Sequence, residues 1–207
     1  MSDPHSIQPN PLPRSFYDRS ALVVARELLG TRLIRLEPGQ PPLIGIIVET
    51  EAYTGHDDLA SHGRNKETPR NKPMWGAPGH AYVYLSRGIH WMLNAVTEAE
   101  GAPAAVLIRA VRPIAGHDVI ARRRAKVKKP RETTSGPARL TMAFGIDQSL
   151  NTCDLTTPAA GLWIEAGEAI PDSRVLTGPR IGMGKTPEPW YSMPWRWYVA
   201  DDEYVSR

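Results

Sequence analysis

The chain has 207 residues, of which 41% are hydrophobic and 23% charged, and a net charge of +3. This is ordinary globular composition, most simply one domain able to bury a continuous core. A single cysteine, Cys153, excludes a disulfide framework within the chain, and no stretch is long and apolar enough to span a membrane.

Twenty prolines and seventeen glycines predict many short loops rather than long helices. The N-terminus, MSDPHSIQPNPLPR, has no apolar signal core. With the lone cysteine, this places the protein in a reducing compartment, as a soluble cytoplasmic protein in a bacterium or a nuclear one in a eukaryote. Between Arg109 and Arg131 the sequence carries many Arg and Lys and one acid, Asp118. Such a patch fits a phosphate backbone and equally fits a solvated basic surface.

Taken in chain order, residues 1–14 read as a flexible arm and residues 15–207 as the folded domain. Asp18 or Ser20 caps a helix through ALVVARELL, with Leu22, Ala25, Leu28 and Leu29 as its buried stripe and Gly30 as its stop. TRLIRL is a strand, EPGQPP a turn, and LIGIIVETEAY a long strand. A polar loop then runs from Thr54 to His80, and loops of that length inside compact domains are usually functional or disordered. AYVYLS, IHWMLNAVT and AAVLIRAV are three closely spaced strands, HDVIARRRAKV and PARLTMAFG are helices, and LWIEA and WRWYV are the last strands. The connections between strands are mostly too short for helical crossovers. The expected fold is an α+β single domain with a curved, mostly antiparallel β-sheet flanked by helices.

Chemistry concentrates on LIGIIVETEAY. At period two, Ile44, Ile46, Val48, Thr50 and Ala52 share one face, and Ile47, Glu49, Glu51 and Tyr53 the other. One face thus turns from apolar to carboxylate, carboxylate, aromatic. For Glu49, an internal ion pair or a solvent-facing edge is the simpler reading; Glu51 beside Tyr53 is the candidate for chemistry. Tyr82 and Tyr84 share a face of AYVYLS, as packing or as a base-stacking platform. Arg109 interrupts an apolar strand, and a buried guanidinium needs a carboxylate or a polar cavity. Asn94 in WMLNAV poses the same question. His56, Asp57, Asp58 and His62 lie on a loop without zinc-like spacing, so no metal is expected, although a magnesium nuclease built on Asp57, Asp58 and His62 stays open. RIGMGK is a weak phosphate signal, and no P-loop, dinucleotide fingerprint or nucleophile elbow is present.

The strings ETEAY, DLASH, TPRN, YVYLSRG, MLN, LIRA, SGPARL, RIGMG and WRWYV, in this order, resemble the alkyladenine (3-methyladenine) DNA glycosylase family from Phe16 to about Val199. The resemblance implies a monofunctional glycosylase of base-excision repair that acts on double-stranded DNA containing damaged purines, as a monomer and without cofactor or metal. Matched motif by motif, Glu51 takes the place of the general base, Arg109 is its companion, and the main-chain carbonyl of Ile181 is a third holder of the attacking water. Tyr53 and Tyr84 fall where the family sandwiches the flipped base, His62 lies on the same pocket wall, and Asn94 matches a residue that disfavours guanine. Arg87 stands where members often carry an intercalating tyrosine, with Ile89 beside it as an apolar wedge. Arg70, Lys72, Arg139, Arg180 and Lys185 are the candidate phosphate contacts. Two readings from other classes remain beside the enzyme: a damage-binding protein without turnover, and the metal-dependent nuclease.

Overall fold

The structure is a computed structural model and describes residues 8–206. In chain order the elements are α1 (Arg14–Tyr17), α2 (Ala21–Glu27), β1 (Arg32–Arg35), β2 (Leu43–Tyr53), β3 (Ala81–Ser86), β4 (His90–Thr97), β5 (Ala104–Ala115), α3 (His117–Arg123), α4 (Pro137–Phe144), β6 (Leu162–Glu165), β7 (Val175–Gly178) and β8 (Arg196–Val199). Short 3-10 turns at His62–Arg64 and Lys72–Trp75 break up the long loop between β2 and β3. The expected α+β fold is what forms.

Among the described residues the sheet has eight strands in the order β3-β4-β5-β2-β1-β6, with β8 pairing β2 and β7 pairing β8, and every pairing between them is antiparallel. β2 and β5, two of the most apolar runs of the sequence, lie at its centre. On β2's other edge, the first half pairs β1 and the second half pairs β8. The core is built by α2 and α4 against this centre, from residues such as Val24, Leu28, Ile47, Val106, Ile108, Leu140 and Phe144.

Two irregularities in the β2–β5 ladder fall at Val48 and Arg109. Thr50 is paired with Ile108 and Glu49 with Ala110, so Arg109 is an extra residue on β5. Ile47 is paired with Val111, so Val48 is an extra residue on β2. Such bulges bend a strand and re-aim a side chain, and they gather next to active sites. They also correct the strict period-two reading of β2. The alternation slips by one at Val48, so Ile47 and Val48 both enter the core, while Ile44 and Ile46 are only half-buried.

Some predicted elements shift for physical reasons. Ser20 is the N-cap of α2 and accepts from the Leu22 amide; the stripe buries Val24, with Leu22 only half covered. α3 stops at Arg123 instead of Val127. Beyond Ile120 it has little apolar surface to bury, and Arg122 and Lys126, one turn apart, repel each other. α1 and β7 were not foreseen. Of the N-terminal arm, residues 1–7 lie outside the described residues. Further along, the Leu12 amide donates to the Ile164 carbonyl at 2.8 Å, holding this stretch on β6. No helix among the described residues is long and apolar enough to cross a membrane.

Candidate active site

Strand register assembles the site. Tyr82 on β3 lies opposite Asn94 on β4, Asn94 opposite Leu107 on β5, Leu107 opposite Glu51 on β2, and Glu51 opposite Arg196 on β8. Directly opposed residues share a face, so one row across five strands sets a carboxylate, an amide and a phenol on the same side. Side chains two positions along, Tyr53 and Tyr84, extend this surface. The result is a cleft of about 720 Å³ lined by, among others, Tyr53, His62, Tyr82, Tyr84, Asn94, Arg109 and Ile181. That lies within the range of small-molecule pockets.

Glu51 is fully buried. Its Oε1 accepts from the Ile181 amide at 2.7 Å and lies 3.1 Å from Arg109 Nη1; its Oε2 accepts from the Tyr53 hydroxyl at 2.9 Å. A carboxylate has about four acceptor sites. Two hydrogen bonds take one site on each oxygen, and Arg109 lies against Oε1 as an ion pair, so Oε2 keeps the freer acceptor site. Burial pushes the Glu51 carboxyl above its ordinary range, and Glu49 adds to this, while Arg109, the Ile181 amide and Tyr53 pull the other way. Desolvation and the Glu51 charge push the Tyr53 phenol well upward, so it stays protonated and donates. Burial would strip Arg109 of its proton, but Glu51 and Glu49 more than reverse that effect and hold the guanidinium charged.

The bulge lets Arg109 serve both carboxylates: its Nε donates to Glu49 Oε1 at 2.9 Å. Glu49, fully buried, also takes Arg196 Nη1 at 2.9 Å. Of the two readings that the sequence allowed for Glu49, the internal ion pair is the one realised. The carboxylate or polar cavity demanded for Arg109 is present in both forms.

Around this floor, Tyr82 and Tyr84 stack with centroids 5.1 Å apart, and His62 meets Tyr84 edge-on at 4.7 Å. His62 also contacts the Tyr82 hydroxyl at 3.1 Å. Burial, reinforced by Arg70 and Arg64, lowers the His62 pKa, so the ring is neutral near pH 7. Gly63 brings His62 inward: a Cβ at this position would lie 2.4 Å from the Pro103 carbonyl oxygen. Asn94 donates to the Tyr82 carbonyl at 3.0 Å.

The second main feature of the site is a pair that the sequence did not suggest. Arg180, expected at a phosphate, is buried instead. Its Nη2 donates to Asp58 Oδ1 at 2.8 Å and its Nη1 to Asp58 Oδ2 at 2.5 Å, with no exposure of either side chain. Nη1 also donates to the Ala52 carbonyl at 2.9 Å. The guanidinium lies 4.7 Å from the Tyr53 ring centroid and 5.0 Å from that of Trp195. This clamp fixes the chain immediately before Ile181, whose amide binds Glu51. Arg180 is therefore no phosphate ligand, and Asp58, named in the nuclease alternative, has both oxygens committed to it. Ile181 meets Glu51 through its N–H, whereas the resemblance assigned a role to its carbonyl.

The remaining candidates are more peripheral. Arg87 and Ile89 sit at the β3–β4 turn, where the Ile89 amide donates to the Ser86 carbonyl at 3.0 Å and Ile89 is 71% exposed. Arg87 has φ 51° and Gly88 φ 70°, the sign pattern of a primed hairpin turn. Arg70 lies 5.4 Å from the Tyr84 ring centroid, at the rim of the cleft. Lys72, Arg139 and Lys185 are exposed. Part of the basic run is tied down, with Arg112 on Asp202 at 3.2 Å and Arg123 on Glu37 at 2.6 Å; Lys126, Lys128 and Lys129 are exposed. Sequence reasoning missed Asp58 with Arg180, and Arg196 with Ser206. An arginine alternating with aromatics in WRWYV was the available signal for Arg196, since two inward carboxylates need more than one cation.

A buried carboxylate held by two hydrogen bonds and an ion pair beneath an aromatic cleft suits a water-activating hydrolase with a flat substrate. Comparison with known proteins narrows that class. The profile of the methylpurine-DNA glycosylase (MPG) family matches residues 15–203. A Methanocella arvoryzae protein is 44% identical over 196 residues, covering 95% of this chain and 96% of its own. One from Myxococcus xanthus is 46% identical over 198 residues, covering 96% and 94%, and one from Salinibacter ruber 44% over 206 residues, covering 95% and 96%. All three carry the name "Putative 3-methyladenine DNA glycosylase". The chain belongs to the methylpurine-DNA glycosylase family, and so to the DNA glycosylases of base-excision repair.

Proposed function

We propose that the protein flips alkylated or deaminated purines (3-methyladenine, 7-methylguanine, hypoxanthine, ethenoadenine) out of double-stranded DNA and hydrolyses their N-glycosidic bond with water activated by Glu51. The observation that carries this reading is the convergence of Arg109, Tyr53 and the Ile181 amide on one buried carboxylate just beneath the floor of an aromatic cleft that those three residues line.

A base inside the duplex does not reach such a floor, so extrusion comes first, at a cost of a few kcal/mol that is least for damaged or mispaired bases. Tyr53 and Tyr84 offer π-faces to the extruded ring. A cationic base such as 3-methyladenine gains roughly 0.5–2 kcal/mol from such faces. Ionised Glu51 removes a proton from water, and the oxygen bonds to C1′ as the glycosidic bond breaks. The bonding pair leaves with the base, which departs neutral because it began as a cation; an abasic sugar remains. The Glu51 charge supports the oxocarbenium-like sugar. A neutral base such as hypoxanthine leaves with the bonding pair and takes its proton from solvent, since neutral His62 does not supply one. No lysine is assigned as an imine-forming nucleophile, so strand cleavage is not expected.

The test is base release from duplexes holding a single hypoxanthine or ethenoadenine, with wild type and Glu51→Gln compared under single-turnover conditions. Loss of release in the variant supports the assignment, by about 10²–10⁴-fold for removal of a general base. Equal release by both proteins sinks it. Binding without release by the wild type across the lesion panel favours the damage-binding alternative.

A further inference from the structure

The C-terminal segment reaches the active site from outside the sequence motifs. Asp202 binds Arg112 at 3.2 Å and accepts the Tyr204 amide at 3.0 Å, and the Ser135 hydroxyl donates to the Val205 carbonyl at 3.4 Å. Tyr204 and Val205 pack against the core. This folded segment delivers Ser206 to Glu49. The Ser206 amide donates to Glu49 Oε2 at 2.7 Å, its hydroxyl donates to Glu49 Oε1 at 2.8 Å, and the same hydroxyl accepts from Arg109 Nη2 at 3.1 Å.

Arg109 thus has a different partner on each nitrogen: Nε on Glu49, Nη2 on Ser206 and Nη1 on Glu51. Two of these contacts close a ring through Glu49 Oε1 and the Ser206 hydroxyl, and that ring sets where the third nitrogen points. We propose that Ser206 is a positioning residue for the hydrolysis assigned to Glu51: with Glu49 it locks the bulged Arg109 so that Nη1 is held on the Glu51 carboxylate. The inference rests on Glu51 acting as the base, and its test separates the two.

The charged and titratable groups facing Glu51 are Glu49 and Tyr53 on β2, Arg109 on β5, Tyr84 on β3 and Arg196 opposite it on β8, with Arg180 covering Tyr53. Ser206→Ala changes none of these charges. It removes both hydroxyl contacts and keeps the amide contact, so the segment stays folded. A less firmly held Arg109 stabilises the Glu51 carboxylate less, and the base protonates at higher pH.

The experiment follows single-turnover base release against pH on a hypoxanthine duplex, together with duplex affinity, for wild type, Ser206→Ala, Ser206→Thr and Glu51→Gln. Ser206→Ala should slow release about three- to tenfold, as the loss of one or two hydrogen bonds implies. It should also move the acid limb to higher pH and leave duplex affinity unchanged. Ser206→Thr, which keeps a hydroxyl, should restore both the rate and the limb. If Ser206→Ala keeps the wild-type rate and acid limb while Glu51→Gln is inactive, the positioning role is wrong and the assigned base survives. An equal slowing of Ser206→Ala at every pH, without rescue by threonine, also overturns it. An active Glu51→Gln removes the base itself and the latch with it.

Discussion

Two buried carboxylate–guanidinium pairs lie within the same site, and they behave as opposites. Asp58 and Arg180 match one to one: both carboxylate oxygens meet both terminal nitrogens of one arginine, out of solvent. In the other pair, Arg109 is shared between Glu49 and Glu51, and Glu51 divides its oxygens among a guanidinium, a phenol and an amide. The first arrangement satisfies its charges and fixes the backbone. The second leaves Glu51 desolvated with its affinity for a proton raised, which suits the proton abstraction proposed for it. Both pairs are buried, yet only one fits the proposed chemistry, and what separates them is whether an arginine serves one carboxylate or two.

Breaking the reactive pair gives the largest expected effect and, unusually, a more stable protein. Glu51→Gln should lose base release by about 10²–10⁴-fold while its Tm rises. The sign follows from linkage: a carboxyl whose folded pKa is raised makes the folded state less stable once pH exceeds its unfolded value. Glutamine removes that cost. The Tm difference should be present at pH 7 and shrink as pH falls toward the ordinary carboxylate value of 4.5, where wild-type Glu51 is protonated as well. A Glu51→Gln protein melting below wild type at pH 7 would contradict the raised pKa. For the same reason the acid limb of the wild-type rate should have its midpoint above 4.5.

Breaking the clamp should act first on the fold. Asp58→Asn leaves Arg180 buried without its counter-charge, a loss of about 3–5 kcal/mol. For a chain of this size that lowers Tm by roughly 6–20 °C, measurable by thermal unfolding at a fixed pH. Because Arg180 precedes Ile181, base release should also fall at temperatures where the variant is still folded. A folded Asp58→Asn with full activity would mean that the Ile181 amide reaches Glu51 without the clamp.

This contrast also marks what could be read from the sequence. The strand LIGIIVETEAY placed Glu49, Glu51 and Tyr53 on one face, and the apolar surroundings of Arg109 demanded an acidic or polar partner; both are local facts of alternation and burial. AYVYLS and PARLTMAFG likewise formed where their patterns put them. The bulges at Val48 and Arg109 were not legible, because a bulge is a property of two paired strands and no single strand's pattern shows it. Nor was the Asp58–Arg180 clamp, whose partners lie 122 positions apart, or the Ser206–Glu49 contact, which spans 157. Arg180 looked like a phosphate ligand because its local string, RIGMGK, is basic and glycine-rich; only the fold shows that it points inward.

The smallest effect tests a part of the site that belongs to neither pair. Arg87 holds φ 51° at the tip of the β3–β4 turn, a conformation that costs a residue with a side chain about 1–2 kcal/mol. A wedge role requires the side chain to remain despite that cost, since strain that persists clusters where function demands it. Two substitutions separate the possibilities. Arg87→Ala keeps the strain and loses the guanidinium; Arg87→Gly loses the guanidinium and relieves the strain. If Arg87 fills the space left by the flipped base, both should slow base release from duplex DNA more than from single-stranded DNA, because only the duplex has a stack to refill. Only Arg87→Gly should raise Tm, by a few degrees at this chain length. Equal losses on duplex and single strand would instead assign Arg87 to the backbone phosphates, and the wedge would pass to Ile89, whose exposed side chain stands two positions along the same turn.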